Sequence, residues 1–469
     1  MKLYEILARD IEESIRTGVL RAGDRLPSVR RTSISRKVSS STVFQAYYRL
    51  EALGLIRARE RSGYFVTPAH GQPRRARVIA TEQATVDNRD TSPVLQMLHS
   101  MMSRGVVPFG SALPAPTLFP LRRLGVDIAA AARSLEPWST VNELVPGRLE
   151  LRRQIAARYA ADGMQVDPDE IVITNGALEG LNLCLATLAR PGDAVIVESP
   201  CFYGALHALK RLGVRPIEIP VDPIQGIDVL ALESAILSHG PKACWFMPTF
   251  HNPLGSSMPE GNKRDVVRLL AQYEIPLIED DVYGELHFSD RRPPPAKAFD
   301  DIGLVLHCSS FSKSLAPGYR VGWVAAGQFR QALARQKLTA SLHTSVVAQQ
   351  GIANYLASGS FDRHLRKLRR ALARQQLEIV QAVGEYFPSG TSVGRSTGGY
   401  FTWVELPPYA DALELYRRAF DQRISIAPGP IFSASGHGFT NCIRLNTGHP
   451  YDSKAERALK TLGRLATNA

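Results

Sequence analysis

Short apolar runs that alternate with helical stretches, beginning near residue 108, are the feature that most restricts how this chain can fold. The runs occupy residues 171–176, 194–200, 242–248, 275–281 and 304–310. Each ends in polar residues, glycine or proline, and the stretches between them are long enough for a helix. Continuous apolar runs of this kind are typical of strands that are covered on both faces. The pattern predicts an α/β fold with a largely parallel sheet, with functional residues at the carboxyl ends of its strands.

Length and composition limit the class of protein. A chain of 469 residues exceeds one typical domain, so two or three domains are expected. Hydrophobic residues make up 44% of the chain and charged residues 21%, which indicates a folded, soluble protein. No apolar run approaches the roughly 18 residues of a membrane span, and the charged, amphipathic N-terminus differs from a signal peptide. The five scattered cysteines lack metal-ligand spacing, which favours a reducing cytoplasmic location and no zinc site.

Positive charge is concentrated near the N-terminus. Residues 1–80 contain 16 Lys and Arg against 7 Asp and Glu, so most of the net charge of +12 lies there. A small basic domain attached to a nearly neutral large one predicts a nucleic-acid-binding head. An ordinary solvated basic surface is the alternative that charge alone leaves open.

The first 66 residues have the pattern of a winged helix-turn-helix. Apolar residues at helical spacing predict the first helix, Pro27 is expected in the first turn of the second, and Ser39 is expected to cap the third. Two short strands are expected around a turn that contains Gly63. The predicted bounds are helices over 3–17, 28–36 and 40–53 and strands within 55–66.

The motifs in this region resemble the GntR-type DNA-binding head. They are GDRLPSVR, S-x-x-T-V from Ser39, A-x-x-x-L-E-x-x-G-L-I from Ala46 and SGYFV from Ser62, which span nearly all of residues 2–68. The resemblance implies a third helix whose start enters the major groove and a wing whose arginines meet phosphates or the minor groove. A solvated charge is the alternative for each arginine. The residues expected to touch DNA are Arg30, Ser40, Ser41, Thr42, Arg59 and Gly63, with Arg57 and Arg61 alternating along the wing beside Arg59.

Two segments around this head carry expectations of their own. In the second helix, Arg31-Thr32 replaces the usual apolar Leu-Ala pair, so this helix is expected to pack less tightly or to expose more positive charge. Residues 69–107 are expected to form a flexible linker between domains over 1–68 and 108–469.

Lys313 lies in SSFSKSLAPGYRVGW, where its amine can act as a nucleophile. A lysine between small hydroxyl residues and seven positions before Arg320 suits a Schiff base with pyridoxal 5′-phosphate (PLP). The serines can donate hydrogen bonds to the phosphate, and the arginine can bind it as a fork. The same pattern also fits an ordinary lysine on a surface loop.

Three other segments agree with a PLP site. The strand, turn and helix over 174–183 can hold a phosphate at a helix N-terminus, with an ordinary βα turn as the alternative. Asp280, at a strand end, can keep a pyridine nitrogen protonated. Tyr283 and Asn252 can hydrogen-bond the ring 3′-oxygen, although a solvated acidic loop and an Asn-Pro turn are the alternatives for these segments.

In their order along the chain, these segments resemble the fold-type I PLP enzymes of the class I/II aminotransferase family over residues 108–465. Further matching motifs are PGRLELR, PGPIF and CIRLN. The resemblance implies that Lys313 binds PLP covalently, Asp280 pairs with the ring nitrogen, and Arg444 takes the carboxylate of a substrate or effector. It further implies that Tyr283 and Asn252 bond the 3′-oxygen, that Phe202 stacks on the ring, and that Gly176, Ala177, Leu178, Ser310 and Arg320 hold the phosphate.

The combination of this head with this large domain resembles the MocR family of bacterial transcription regulators. The resemblance implies a homodimer that binds a double-stranded DNA operator and responds to PLP, an amino acid or an amine. A working aminotransferase with an attached DNA-binding head is a second hypothesis, and a sensor of PLP itself is a third. The residues do not identify the effector, the operator or the direction of regulation.

Overall fold

The computed structural model describes residues 3–59, 63–67 and 105–467. We call the described residues up to Thr67 the head and residues 105–467 the body. The expected linker up to residue 104 and Arg61 of the wing lie outside the described residues. Within the described ranges, no helix combines the length and apolar character that crossing a membrane requires.

The head has the predicted order of three helices and a two-stranded antiparallel wing. Its core forms where Leu7 and Ile11 of the first helix meet Val43, Tyr47 and Leu50 of the third. The elements are α1 (Leu3–Arg16), α2 (Val29–Arg36), α3 (Ser40–Ala52), β1 (Ile56–Arg59) and β2 (Gly63–Val66). The winged helix-turn-helix prediction is therefore confirmed.

Two local details of that prediction were wrong. The hydroxyl of Ser28 accepts a hydrogen bond from the amide of Arg31 at 3.3 Å and so caps α2, which leaves Pro27 outside the helix instead of in its first turn. Gly63 is the first residue of β2 and pairs with Arg59, where a turn position had been expected. Its φ of 97° lies in the region that glycine tolerates best.

The polar pair in α2 is accommodated by a buried hydrogen bond. Thr32 is buried, and its hydroxyl lies 2.8 Å from that of Tyr47, which in turn donates to the carbonyl of Pro27 at 2.8 Å. Arg31 is exposed. This helix therefore keeps its packing through a polar contact and adds positive charge to the surface.

The body is built on an eight-stranded sheet with the order β4-β11-β10-β9-β8-β5-β6-β7. The strands of this half of the chain are β3 (Val107–Pro108), β4 (Ile171–Thr174), β5 (Ala194–Ser199), β6 (Arg215–Asp222), β7 (Gly226–Ile227), β8 (Ala243–Phe246), β9 (Leu277–Asp280), β10 (Val305–Ser310) and β11 (Gly322–Ala325). Neighbouring strands from β10 through β9, β8 and β5 to β6 are parallel, whereas β11 is antiparallel to both neighbours. All five predicted apolar runs are strands of this sheet.

Helices cover both faces of the sheet. Val195 and Val197 of β5 face one core, and Ile196 between them faces another, because successive side chains of a strand point to opposite faces. The helices of this region are α4 (Leu121–Ser134), α5 (Ser139–Asn142), α6 (Leu149–Ala161), α7 (Ala177–Leu188), α8 (Tyr203–Leu212), α9 (Val229–His239), α10 (Glu260–Gln272), α11 (Arg330–Ser341), α12 (Val346–Ala357) and α13 (Ser360–Tyr386).

A smaller C-terminal unit has its own sheet, with the order β12-β13-β16-β15. Its elements are β12 (Ser392–Val393), β13 (Phe401–Glu405), α14 (Ala412–Asp421), β14 (Ile424–Ser425), β15 (Ala427–Pro428), β16 (Cys442–Asn446) and α15 (Ser453–Thr467). The short strand β3 pairs in parallel with β14. The first described residues of the body are therefore tied to the C-terminal unit.

Candidate functional site

The candidate site lies at the carboxyl ends of the central strands, as the sequence predicted. Asp280 is the last residue of β9 and Ser310 the last of β10, and these two strands are parallel neighbours. Lys313 follows three residues after β10. This arrangement brings a lysine, a carboxylate and hydroxyl groups to one edge of the sheet.

Lys313 is partly buried, and its Nζ donates a hydrogen bond to the carbonyl of Ala112 at 2.8 Å. Burial lowers the pKa of this amine to about 8; the positive charges of Arg444 and Arg320 act in the same direction, and Asp280 opposes them. A larger fraction of the amine is therefore unprotonated at neutral pH than in an exposed lysine. The neutral amine is the form that attacks a carbonyl carbon.

Asp280 is almost fully buried, and its Oδ1 has no hydrogen-bond partner among the described residues. Burial raises the pKa of this carboxyl to about 7; the neighbouring charge of Asp281 adds to the effect, and Lys313 opposes it. A buried acceptor without a partner is costly, so it fits a cationic N–H donor such as a protonated pyridine nitrogen.

Replacing Asp280 with asparagine in the cofactor-free protein is expected to change how stability depends on pH. The pKa of Asp280 is raised from its ordinary 3.8 to about 7 in the folded state, so its carboxylate costs stability above pH 7 and costs none below pH 4. The unfolding free energy of the wild type, relative to the variant, should fall by at most about 4 kcal/mol across that range. Denaturant unfolding of both proteins from pH 4 to 8 measures this, and a pH-independent difference would contradict it.

The residues expected beside the ring oxygen are held by aromatic and polar neighbours. Tyr283 is buried and packs edge-on against Tyr400 and Phe401, with ring centroids 5.4 Å apart in both cases. Burial raises the pKa of Tyr283, so its hydroxyl stays protonated and able to donate. The Oδ1 of Asn252 accepts a hydrogen bond from Arg444 at 2.9 Å, which fixes the orientation of the amide.

Phe202 lies just before α8 and is partly buried. Its ring centroid is 5.0 Å from that of Tyr203, a buried residue that the sequence interpretation did not single out. Stacking of Phe202 on the cofactor ring stays a prediction.

A cradle for a phosphate forms where α7 begins. Arg320 donates through Nη2 to the carbonyl of Asn175 at 3.1 Å and through Nη1 to the hydroxyl of Ser312 at 3.3 Å. Gly176 has a φ of 82°, and a Cβ there would collide with the Arg320 guanidinium. The close approach of this guanidinium to a helix N-terminus gives two sources of positive potential at one point.

The other predicted phosphate contacts lie beside this cradle. Ala177 is buried at the first position of α7, and Leu178 follows with its side chain half exposed, so any contact to phosphate there is made by backbone amides. The hydroxyl of Ser310 accepts a hydrogen bond from the amide of Ser312 at 3.3 Å. Ser312, one of the serines that flank Lys313, also belongs to this cradle through its contact with Arg320.

A group that sequence reasoning missed supports the cradle from behind. Glu179 accepts hydrogen bonds from the backbone and side-chain amides of Asn175 at 2.6 and 2.9 Å and from the buried Lys337 at 2.9 Å. Burial opposes the charge of Glu179, but the hydrogen bonds of Lys337, Ser341 and Asn175 lower the pKa of its carboxyl. The acidic residue in the first turn of α7 was the available signal.

Arg444 lies in the middle of β16 and is fully buried. Its Nη2 donates to the carbonyls of Gly110 and Ser111 at 2.5 and 3.3 Å. The guanidinium also lies 4.2 Å from the ring centroid of Phe401 and 5.4 Å from that of Phe432. Its Nε has no hydrogen-bond partner within the described ranges.

A buried polar chain behind Asp280 was also missed by sequence reasoning. His307 lies 3.0 Å from Asp281 through Nε2 and 2.7 Å from the hydroxyl of Tyr159 through Nδ1. Trp323 donates to the same hydroxyl at 2.9 Å, and Arg292 donates to Asp281 at 2.5 Å. These contacts hold the turn after β9 in place and so position Asp280.

In the head, Ser40, Ser41 and Thr42 form the first turn of α3, whereas the other predicted DNA-contacting residues lie on α2 (Arg30) and on the wing strands (Arg59 and Gly63). The Ser39 hydroxyl accepts a hydrogen bond from the Thr42 amide at 3.1 Å, which confirms the predicted cap. Arg30, Ser40 and Ser41 are exposed, and Thr42 is partly exposed. Gly63 is exposed in the wing, next to Arg25.

Two exposed aromatic side chains on α3 are additional candidates for DNA contact. Phe44 is 54% exposed and Tyr48 is 75% exposed, and their spacing of four residues places them on one face. Neither belongs to the motifs from which the DNA contacts were inferred.

Comparison with known proteins gives the same two-part description. The model of the gntR family of bacterial regulatory proteins matches residues 3–66, and that of aminotransferase class I and II matches residues 127–462. The HTH-type transcriptional regulator YdcR of Escherichia coli (strain K12) is 44% identical over 466 residues, which cover 99% of both chains. Aromatic-amino-acid aminotransferase 1 of Thermococcus litoralis is 31% identical, over 79% of this chain and 90% of that protein.

Among solved structures, the multiple substrate aminotransferase from Thermococcus profundus superposes with a TM-score of 0.74 and 27% identity, covering 81% of this chain and 96% of that one. Fold and site thus define a class: a GntR-type winged helix-turn-helix joined to a fold-type I, class I/II aminotransferase-like body. The match to an HTH-type regulator extends over both parts of this chain. The chain belongs to the MocR-type family of transcriptional regulators.

Proposed function

We propose that this regulator binds PLP covalently at Lys313 and that an amino compound entering the same site alters DNA binding by the head. The main support is the buried Oδ1 of Asp280, which lacks a hydrogen-bond partner among the described residues. The charge of Asp280 acts on the amine of Lys313, whose pKa is about 8. When bound, PLP supplies an electrophilic carbonyl for a primary amine and a ring that withdraws electrons.

Each part of the site has a counterpart on that cofactor. Lys313 supplies the attacking amine, Asp280 holds a proton on the ring nitrogen, and Arg320 balances the phosphate charge. Backbone amides at Gly176, Ala177 and Leu178 and the hydroxyl of Ser310 complete the phosphate contacts. Tyr283 and Asn252 donate to the ring 3′-oxygen, and Phe202 covers the ring face.

Arg444 gives the site its preference among amines. Its planar guanidinium can meet both oxygens of a carboxylate, and its burial between Phe401 and Phe432 keeps water from screening that contact. The preferred ligand is therefore a primary amine that also carries a carboxylate.

The protein is proposed to act as a homodimer in the cytoplasm, where two heads read two half-sites of a DNA duplex. Exposed apolar side chains between α4 and α6 support a subunit contact. Trp138 is 68% exposed and Val141 is 55% exposed, and Leu144 and Leu149 lie nearby in the sequence with more than a third of their area exposed. Exposed apolar side chains that form a contiguous patch often mark a protein–protein contact.

A footprint on the DNA upstream of the protein's own gene tests this function. We expect a protected region with two half-sites, and we expect the affinity to change on addition of PLP or of amino acids to the PLP-loaded protein. Couplings of about 1–3 kcal/mol, or roughly 5- to 150-fold, are usual for such linkage. Protection that is indifferent to PLP and to every amino compound would refute the sensing role.

Aminotransfer is the second candidate, favoured by the intact set of Lys313, Asp280 and Arg444. Steady formation of a 2-oxo acid from an amino acid with 2-oxoglutarate as acceptor would support it. Turnover without any effect of amino acids on DNA affinity would make the enzyme the better description. A response to PLP alone would favour a PLP sensor.

A further inference from the structure

We propose that Gly110–Leu113, which we call the strap, is a ligand-displaced element that reports carboxylate occupancy of Arg444 to the chain segment leading to the head. This inference rests on the proposed function and specifies how its site is regulated. In this proposal, main-chain carbonyls of the strap detect the bound carboxylate, a role that was not given to any side chain described above.

The strap presents four consecutive carbonyls to the site. Those of Gly110 and Ser111 accept from Arg444, and that of Ala112 accepts from Lys313 at 2.8 Å and from Tyr400 at 3.0 Å. Asn446 donates to the carbonyls of Ser111 and Leu113 at 2.9 and 2.7 Å, and His449 lies 3.1 Å from that of Leu113.

Two of these donors are the groups that an amino-acid ligand engages. Arg444 can offer its terminal N–H groups to the strap or to a carboxylate, and a charged acceptor binds a guanidinium more strongly than a neutral carbonyl does. Attachment of PLP to Lys313 also ties Nζ to the cofactor, because its condensation with the PLP carbonyl forms one C=N bond and releases one water. The cofactor therefore competes with the Ala112 carbonyl for Lys313. A ligand carboxylate competes with the neighbouring strap carbonyls for Arg444.

The strap lies close to the end of the inter-domain segment. Residues 105–109, which include β3, separate the strap from residue 104 at the end of that segment. The hydroxyl of Ser425 accepts from the amide of Gly110 at 3.3 Å and donates to the carbonyl of Val107 at 3.4 Å. One side chain therefore joins the strap to β3.

Close packing makes it difficult for the strap to move without displacing its neighbours. A Cβ on Gly110 would lie 2.8 Å from the carbonyl carbon and oxygen of Ile426, so the two backbones are already in contact. A strap that leaves Arg444 must slide or lift from this surface and pull on β3. A ligand without a carboxylate leaves the hydrogen bonds of Arg444 to the strap intact, so it lacks the differential affinity needed to shift the equilibrium.

The test uses two probes that fill the cofactor site of the full-length apo-protein and differ by one carboxylate. They are N-(5′-phosphopyridoxyl)-L-leucine and N-(5′-phosphopyridoxyl)-3-methylbutylamine, with loading checked by native mass spectrometry. Hydrogen exchange of the amides of Gly110, Ser111 and Leu113 should quicken by about tenfold or more with the leucine probe alone, as expected for loss of a charge-assisted hydrogen bond. Equal exchange with both probes would overturn the proposal.

A pair of variants tests the strap without a ligand. Asn446→Ala removes two donors to the strap and should speed exchange of the same amides in the apo-protein. Thr447→Ala is the matched control, because this neighbouring buried hydroxyl has no hydrogen-bond partner among the described residues. Slow exchange in Asn446→Ala, equal to that in Thr447→Ala, would also count against the strap.

The outcomes separate this inference from the proposed function. Failure of both probes to bind the apo-protein would refute the PLP site itself. Faster exchange with the leucine probe and unchanged affinity for the upstream DNA would keep the strap as a carboxylate-responsive element and refute the regulatory role of the site. Unchanged exchange together with altered DNA affinity would keep the regulator and refute the strap.

Discussion

Replacement of Lys313 with alanine is expected to abolish covalent retention of PLP. The wild-type protein loaded with PLP should show a visible absorption band, and borohydride should fix the cofactor to a peptide that contains Lys313. The variant should show neither, because it lacks the buried amine that interacts with the charges of Asp280 and Arg320. Absorption spectra and peptide mass spectrometry measure the two effects.

Two controls support this experiment. Lys210→Ala removes an exposed lysine on α8 and should leave labelling unchanged. Lys313→Arg retains a positive charge at the site, so loss of the band in this variant would arise from the missing amine and not from a missing charge. Persistent borohydride labelling of Lys313→Ala at a stoichiometry near that of the wild type would show that another lysine carries the cofactor.

DNA binding is expected to be strongly salt-dependent. If six to ten phosphates are neutralised, affinity should fall roughly 10³- to 10⁵-fold between 50 and 200 mM salt. The physical reason is the release of counterions by a basic head with exposed arginines, among them Arg30 and Arg57. Fluorescence anisotropy with the upstream duplex and with a shuffled duplex measures the slope and the specificity.

Single substitutions distinguish contacts to the DNA phosphates from contacts to the bases. Arg30→Ala in the full-length chain should reduce the salt slope by about 0.9 if Arg30 binds a phosphate. Thr42→Ala should weaken the specific duplex more than the shuffled one, since Thr42 lies at the start of α3. Arg133→Ala, an exposed arginine on the body, is the control, and an equal effect of all three substitutions would contradict a role of the head in reading DNA.

Much of the fold could be predicted because its signals are local. Each of the five apolar runs is a strand, and the cap at Ser39 starts α3 where expected. The strands β6 and β11 were missed for physical reasons. β6 is only partly buried and mixes charged with apolar residues, and β11 is four residues long and antiparallel within a mostly parallel sheet.

The residue types of the candidate site could also be predicted, but not their states. Lys313, Asp280 and Arg444 were recognised by motif. The lowered pKa of Lys313 and the raised pKa of Asp280 both arise mainly from burial, which depends on what the rest of the chain packs around them. Glu179 and Tyr400 were not singled out by any motif and were found through their hydrogen bonds.

By itself, the sequence determined the two-part architecture, the order of the main elements and the chemistry available at each strand end. Apolar periodicity, caps and short motifs are properties of neighbouring residues, so they can be recognised in the sequence alone. Only the tertiary structure decided which groups satisfy Lys313 and Arg444. Their carbonyl partners, Ala112 and Gly110, lie 201 and 334 positions away along the chain. Contacts at such separations depend on how strands and loops pack, and the residues between them carry no local trace of the pairing.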